Sequence, residues 1–264
     1  MLLIKNLPFT NVVGSGVATV SLPIGMSYNH ITLQLGGTFT KSNITDIKVR
    51  MNGKVIYQNT GARLDAINKY RGMAADASFL VIDFTEHDAK LMAEQYIGNL
   101  NTAQGVSSLT MEVTISGATN PTLESWSEVG PPAPLGVVAK QILFTTSIGG
   151  SGKFPFKLID VANRGAIIKR VHFSHGGQLS ALEVKKNGVV IHDNVPTVVN
   201  SFYQSSKFKK APQANLYTYD PCLDNNYTNA IKTQDMVSLE FNMTMAGADT
   251  VTATLEVLDL LGNM

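Results

Sequence analysis

The chain has 264 residues, 44% of them hydrophobic and only 16% charged, with a net charge of +1. A charged share below the usual quarter allows a large core and points to a surface partly covered by a partner, while near neutrality excludes a global field that would gather nucleic acid or acidic lipid. A single cysteine, Cys222, excludes an internal disulfide and fits folding in a reducing cytoplasm; the start MLLIKNLPFT does not read as a signal peptide, and no stretch reaches the roughly 18 apolar residues of a membrane span.

In chain order, the first signal is period-two alternation. Ala18, Val20, Leu22 and Ile24 alternate with Thr19, Ser21 and Pro23. Ile47, Val49 and Met51 follow, running into Asn52-Gly53, a dipeptide suited to the positive φ angles of a type I′ hairpin turn. Residues 62–71 place Leu64, Ile67 and Tyr70 on one helical stripe, and residues 87–100 read as a second helix with Asp88 near its start. Leu109 to Ile115 alternates again. Residues 119–136 carry four of the chain's ten prolines and read as a linker, with Trp126 packing across a domain seam. Beyond it, Pro196 opens a third helical stretch to residue 206, and Val237 to Met245 alternates. Such alternation gives each strand one buried and one wetter face, as in antiparallel sheets.

The two halves repeat. Phe9-Thr10 and Phe144-Thr145, Asn52-Gly53 and Asn187-Gly188, and Leu64/Ile67 and Val199/Phe202 are each 135 positions apart. Ala18, Val20 and Leu22 match Phe154, Phe156 and Leu158; Ile31, Leu33 and Gly36-Gly37 match Val171, Phe173 and Gly176-Gly177; MEV at 111–113 matches LEV at 255–257. The shared order predicts an all-β chain: two tandem eight-stranded jelly rolls with a few short helices. The expected boundaries are 1–118 for the first, 119–136 for the linker and 137–264 for the second. Asn52-Gly53 and Asn187-Gly188 should occupy matching places.

The segment LPFTNVVGSGVATVSLPIGMSYNHITLQLGG, with Pro8, the Asn11-Val12 step before a Gly turn, Leu22-Pro23-Ile24-Gly25, Tyr28 and alternating Ile31 and Leu33, resembles the N-terminal strands of the corticovirus major capsid proteins. VRMNGKVIY followed by a helix is similar to the next part of that family's first jelly roll. The resemblance implies a double jelly-roll major capsid protein of membrane-containing icosahedral bacteriophages. It further implies homotrimers with pseudo-sixfold outline, neighbouring trimers, penton and minor capsid proteins as partners, an internal membrane beneath the shell and a place in the virion. It also implies Ca2+ in the lattice, without assigning it residues, and no specific nucleic-acid partner.

Chemical motifs are sparse. GGSGK at 149–153 lacks the first Gly of a phosphate loop, since position 147 is Ser, and Phe154 stands where Ser or Thr is needed; it reads as a turn. His172 and His175 at strand spacing point to opposite faces. His30, His87 and His192 have no Cys or acidic partner at ligand spacing, and Cys222 has no evident base. Asp83, Glu86 and Asp88, and Asp220 and Asp224 with Asn225 and Asn226, form oxygen-rich loops of a kind that can hold calcium, although capping and turn formation explain them equally well. FYQSSKFKK at 202–210 interleaves aromatic and basic residues, in the manner of a nucleic-acid or lipid-headgroup contact, or of an ordinary helix end. No catalytic or cofactor-binding residue is assigned, metal ligands are left open, and the chain is read as a non-enzymatic shell protein. A sugar- or receptor-binding double sandwich, or a two-jelly-roll hydrolase with paired carboxylates, are the alternatives.

Overall fold

The computed structural model describes residues 2–157 and 165–263. In the first half the strands are β1 (Leu2–Lys5), β2 (Gly16–Ser21), β3 (Ser27–Gly36), β4 (Ile44–Met51), β5 (Lys54–Asn59), β6 (Phe79–Asp83), β7 (Leu100–Asn101), β8 (Leu109–Ile115) and β9 (Thr122–Gly130). The second half carries β10 (Val137–Ile148), β11 (Gly152–Lys157), β12 (Ile167–Ser174), β13 (Leu179–Lys186), β14 (Val189–Pro196), β15 (Leu216–Tyr219), β16 (Ile231–Lys232), β17 (Leu239–Met245) and β18 (Asp249–Leu260). Helices α1 (Gly61–Tyr70) and α3 (Thr197–Phe208) follow β5 and β14, and α2 (Met92–Gln95) is a single turn.

These strands form four sheets. Two have the orders β1-β9-β3-β6 and β2-β8-β4-β5; the other two are β10-β18-β12-β15 and β11-β17-β13-β14. Adding nine to each strand number converts the first pair of sheets into the second, with two-residue β7 on β3 and β16 on β12 matching as well. The eight-stranded jelly roll therefore occurs twice, each time with a two-residue strand added. The chain divides into two compact units, residues 1–68, 73–142 and 258–264, and residues 69–72 and 143–257.

Alternation builds the cores as the sequence implies. In the first unit Ala18 pairs Val113 and Val20 pairs Met111 between β2 and β8, and these side chains are buried with Ile47, Val49 and Met51 of β4. In the second, Phe173 packs against Phe241 with ring centroids 5.4 Å apart, and Tyr219 meets the edge of Phe241 at 6.0 Å.

The Asn-Gly turns occupy equivalent places, joining β4 to β5 and β13 to β14. Asn52 and Asn187 have φ of 52° and 51°, and the following glycines 78° and 79°, as a type I′ turn requires. Each asparagine also ties its turn to the next strand of its sheet. Asn52 Oδ1 accepts from Ser107 N–H at 2.7 Å and its backbone N–H donates to Ser108 O; Asn187 Oδ1 accepts from Val237 N–H at 2.7 Å and its backbone N–H donates to Ser238 O.

Four expectations change. Residues 119–136 are not simply a linker, because Thr122–Gly130 is β9, between β1 and β3. Pro121 and Pro131 flank that strand and so leave its ladder hydrogen bonds intact. Trp126 lies within the first unit, its Nε1–H donating to Gln34 Oε1 at 3.3 Å and Lys5 Nζ 5.4 Å from its ring. Residues 87–100 form only the turn α2, since Ala89, Glu94 and Asn99 donate to carbonyls three residues back and Glu86 N–H crosses to Gln95 O. Finally, MEV at 111–113 lies on β8, whose counterpart is β17; LEV at 255–257 lies on β18, the counterpart of β9. Leu158, matched to Leu22, falls outside the described residues.

Candidate functional site

The most distinctive surface is an asymmetry between equivalent elements. In the first unit β5 and α1 turn Ile56, Tyr57, Leu64 and Ile67 inward, and all are buried. The second unit has apolar residues on the equivalent elements but leaves them in solvent. On β14, Val189, Val190 and Ile191 are exposed in succession, and on α3 Val198, Val199, Phe202 and Tyr203 are exposed, Phe202 to 71% where its counterpart Ile67 is at 1%. β14 is also an edge strand of its sheet. Apolar residues on an unpaired edge beside an apolar helix face form a surface that soluble proteins ordinarily cover.

Two of the three lysines in 202–210 make local side-chain contacts. Lys207 Nζ sits 5.5 Å from the Tyr203 ring and 5.4 Å from the Phe208 ring. Lys209 ends α3 in the left-handed region, and Lys210 donates to Asn225 Oδ1 at 3.1 Å.

Two carboxylates of the second unit, those of Asp220 and Glu256, are buried around one arginine. Arg170 of β12, 1% exposed, donates from Nε to Asp220 Oδ2 at 3.1 Å and from a terminal nitrogen to Glu256 Oε2 at 2.9 Å, and bonds the Tyr227 hydroxyl. Tyr70 donates to Asp220 at 3.1 Å, and His172 bonds Thr218 at 2.9 Å and stands 3.5 Å from Glu256. Burial opposes ionisation of Glu256, yet His172, Arg170 and Arg71 together hold its carboxyl well below the usual range. Burial and the Asp220 charge push the Tyr70 hydroxyl up. Thr252, Thr254 and Glu256 on β18 are buried as well.

His172 and His175 do not converge: His175 Nδ1 accepts from Gly177 N–H at 3.0 Å. Among the described residues neither oxygen-rich loop brings three acidic or imidazole ligand atoms together. Asp220 is committed to Arg170, Tyr70 and the Cys222 N–H, Asp224 caps Asn226 N–H, and Asp83 accepts from Thr85. GGSGK is the turn from β10 to β11.

One cluster was not legible from spacing. His30 on β3, His87 on the loop after β6 and Glu128 on β9 bring their ligand atoms within 4.8 Å of one another. They are 57 and 41 positions apart along the chain, so no short motif links them. The local signal is a bulge at Asn29: Tyr28 pairs Val129 and His30 pairs Glu128, with a register shift between.

Two family models match the sequence: Viral coat protein P2 N-terminal domain over residues 3–130, and Viral coat protein P2 C-terminal domain over residues 138–261. No curated protein matches it. Among solved structures, the major capsid protein P2 from bacteriophage PM2 aligns with a TM-score of 0.86 at 19% identity, covering 97% of each chain. The structure of Sulfolobus turreted icosahedral virus aligns with a TM-score of 0.72 at 12% identity over 98% of this chain and 91% of that one. The PBCV-1 virus capsid aligns at 0.63 and 10% identity, over 98% and 94%. At these identities the structures establish a shared fold.

Proposed function

The chain belongs to the viral coat protein P2 family and is a major capsid protein, and on that premise we propose that three copies close into a trimer of six similar sandwiches through the β14–α3 face. The asymmetry of exposure carries this reading. In a ring of alternating sandwiches each unit presents the same face to its neighbour. The α1 face is buried, whereas the α3 face is exposed and left for a second copy. Heterologous contact of this kind closes into a ring when the rotation fits. Such trimers would tile an icosahedral shell, over an internal membrane and with penton and minor proteins at its special positions, and would assemble in the host cytoplasm. The role is structural rather than catalytic: the second unit's buried carboxylates share Arg170 instead of facing a groove.

Sedimentation of the purified chain tests the proposal. The expected species is a trimer, and Val199→Asp with Phe202→Asp should give a monomer whose melting temperature stays close to that of the isolated parent fold, because both side chains are exposed. A parent chain that stays monomeric at high concentration, or a double variant that still trimerises, refutes it.

A further inference from the structure

We propose that His30, His87 and Glu128 form a site for a divalent transition ion of the zinc class, clamping the loop after β6 to the β3–β9 pair. The donor set is two imidazoles and one carboxylate, which suits zinc-class ions and leaves a fourth position open. Spacing fits as well. A tetrahedral ion held at about 2.1 Å by each donor separates its ligands by about 3.4 Å, and His30 Nδ1 lies 3.5 Å from Glu128 Oε2. The His87 ring stands edge-on to His30, centroids 6.4 Å apart, and also packs edge-on with Tyr96 at 5.9 Å. His87 is exposed on its loop, so a small ring movement closes the set.

Two further observations point the same way. Glu128 is 6% exposed, and its partners are the Asn29 amide and the His30 imidazole. Three other buried acids in this protein face a Lys or Arg: Asp220 and Glu256 share Arg170, and Asp259 has Lys140 at 3.1 Å. A buried carboxylate calls for a cation, and here the imidazole facing its Oε2 is a metal ligand. The Asn29 amide donates to Glu128 Oε1 at 2.9 Å, which turns Oε2 towards His30; this is how an outer hydrogen bond orients a ligating carboxylate. Beside the cluster lies a cavity of about 380 Å³ lined by Asn29, Tyr96 and Asn101. Asn29 Oδ1 and Asn101 Oδ1 are buried there without a protein partner, so the cavity offers acceptors to a donor on the ion's open side.

Isothermal titration of the chelator-treated full chain with Zn2+ tests the site. One equivalent should bind per chain and raise the melting temperature. His87→Ala, a change at an exposed position, should fold like the parent and lose both effects. Asn29→Ala should weaken binding by about tenfold, as outer partners do. Excess Ca2+ should not displace the zinc, because imidazole is a poor calcium ligand. Equal zinc binding by the parent and His87→Ala, absence of binding by the parent, or displacement by Ca2+ each overturns the proposal.

Discussion

Asn52 and Asn187 do two jobs with one side chain. Each accepts the strain of a left-handed backbone and each fastens its turn to the neighbouring strand through Oδ1. Replacing either by Ala removes the αL tolerance and leaves backbone donors without that acceptor, so each change should cost about 1–3 kcal/mol by urea denaturation. Similar losses for the two variants are expected from the duplicated geometry; a neutral substitution at one of them would contradict it. The dipeptides were readable in the sequence as turns, but the second hydrogen-bonding role was not. It depends on Ser107 and Val237, which lie about 50 residues downstream. The His30–His87–Glu128 cluster escaped for the same reason, since the β3–β9 register with its bulge and the loop after β6 place it.

At the scale of elements, periodicity located the strands well because each sandwich strand has one face to bury. It erred where that condition failed. Residues 87–100 have apolar residues at helical spacing, yet Leu91 and Met92 are exposed and nothing selects a continuous helix there. The proline-rich stretch concealed β9 because the prolines fall at its boundaries. Helix α3 was placed correctly, and its end offers a test. Lys209 has φ 56° and ψ 27°, with its N–H donating to Gln204 O. A glycine adopts this conformation without the Cβ penalty, so Lys209→Gly should stabilise the protein by about 1 kcal/mol in urea denaturation. A loss of stability would show that the lysine side chain outweighs its backbone strain.

For the whole molecule, the acid limb of stability should be steep and assignable. Burial lowers His192 from 6.5 to about 4. Between those values the unfolded chain binds the extra proton, so stability rises with pH across that window. This contribution is complete above about 6.5 and disappears as pH falls towards 4. Glu256, held well below 4.5 by His172 and the arginines against the opposing effect of burial, adds stability above that value and loses it at lower pH. His192→Gln should flatten the melting-temperature profile between pH 6.5 and 4, and an unchanged slope would remove His192 as its source. The doubled architecture itself was legible, because fold-level repetition survives in turn residues and strand order. The unequal burial of α1 and α3 was not, since both helices carry apolar stripes and only the assembled chain shows which one is covered.

The position of β9 has a kinetic meaning. It is the last strand of its sandwich in sequence, yet it sits between β1 and β3, pairing Leu2 with Val129 and Leu33 with Ser125. β18 holds the same interior place between β10 and β12. Neither sheet has a continuous hydrogen-bonded middle until its final strand arrives. A chain emerging from the ribosome must therefore hold β1 and β3 apart, with their apolar faces unsealed, while the 85 residues between β3 and β9 appear. Closure is then a late, cooperative event in each half, and the second half repeats the wait.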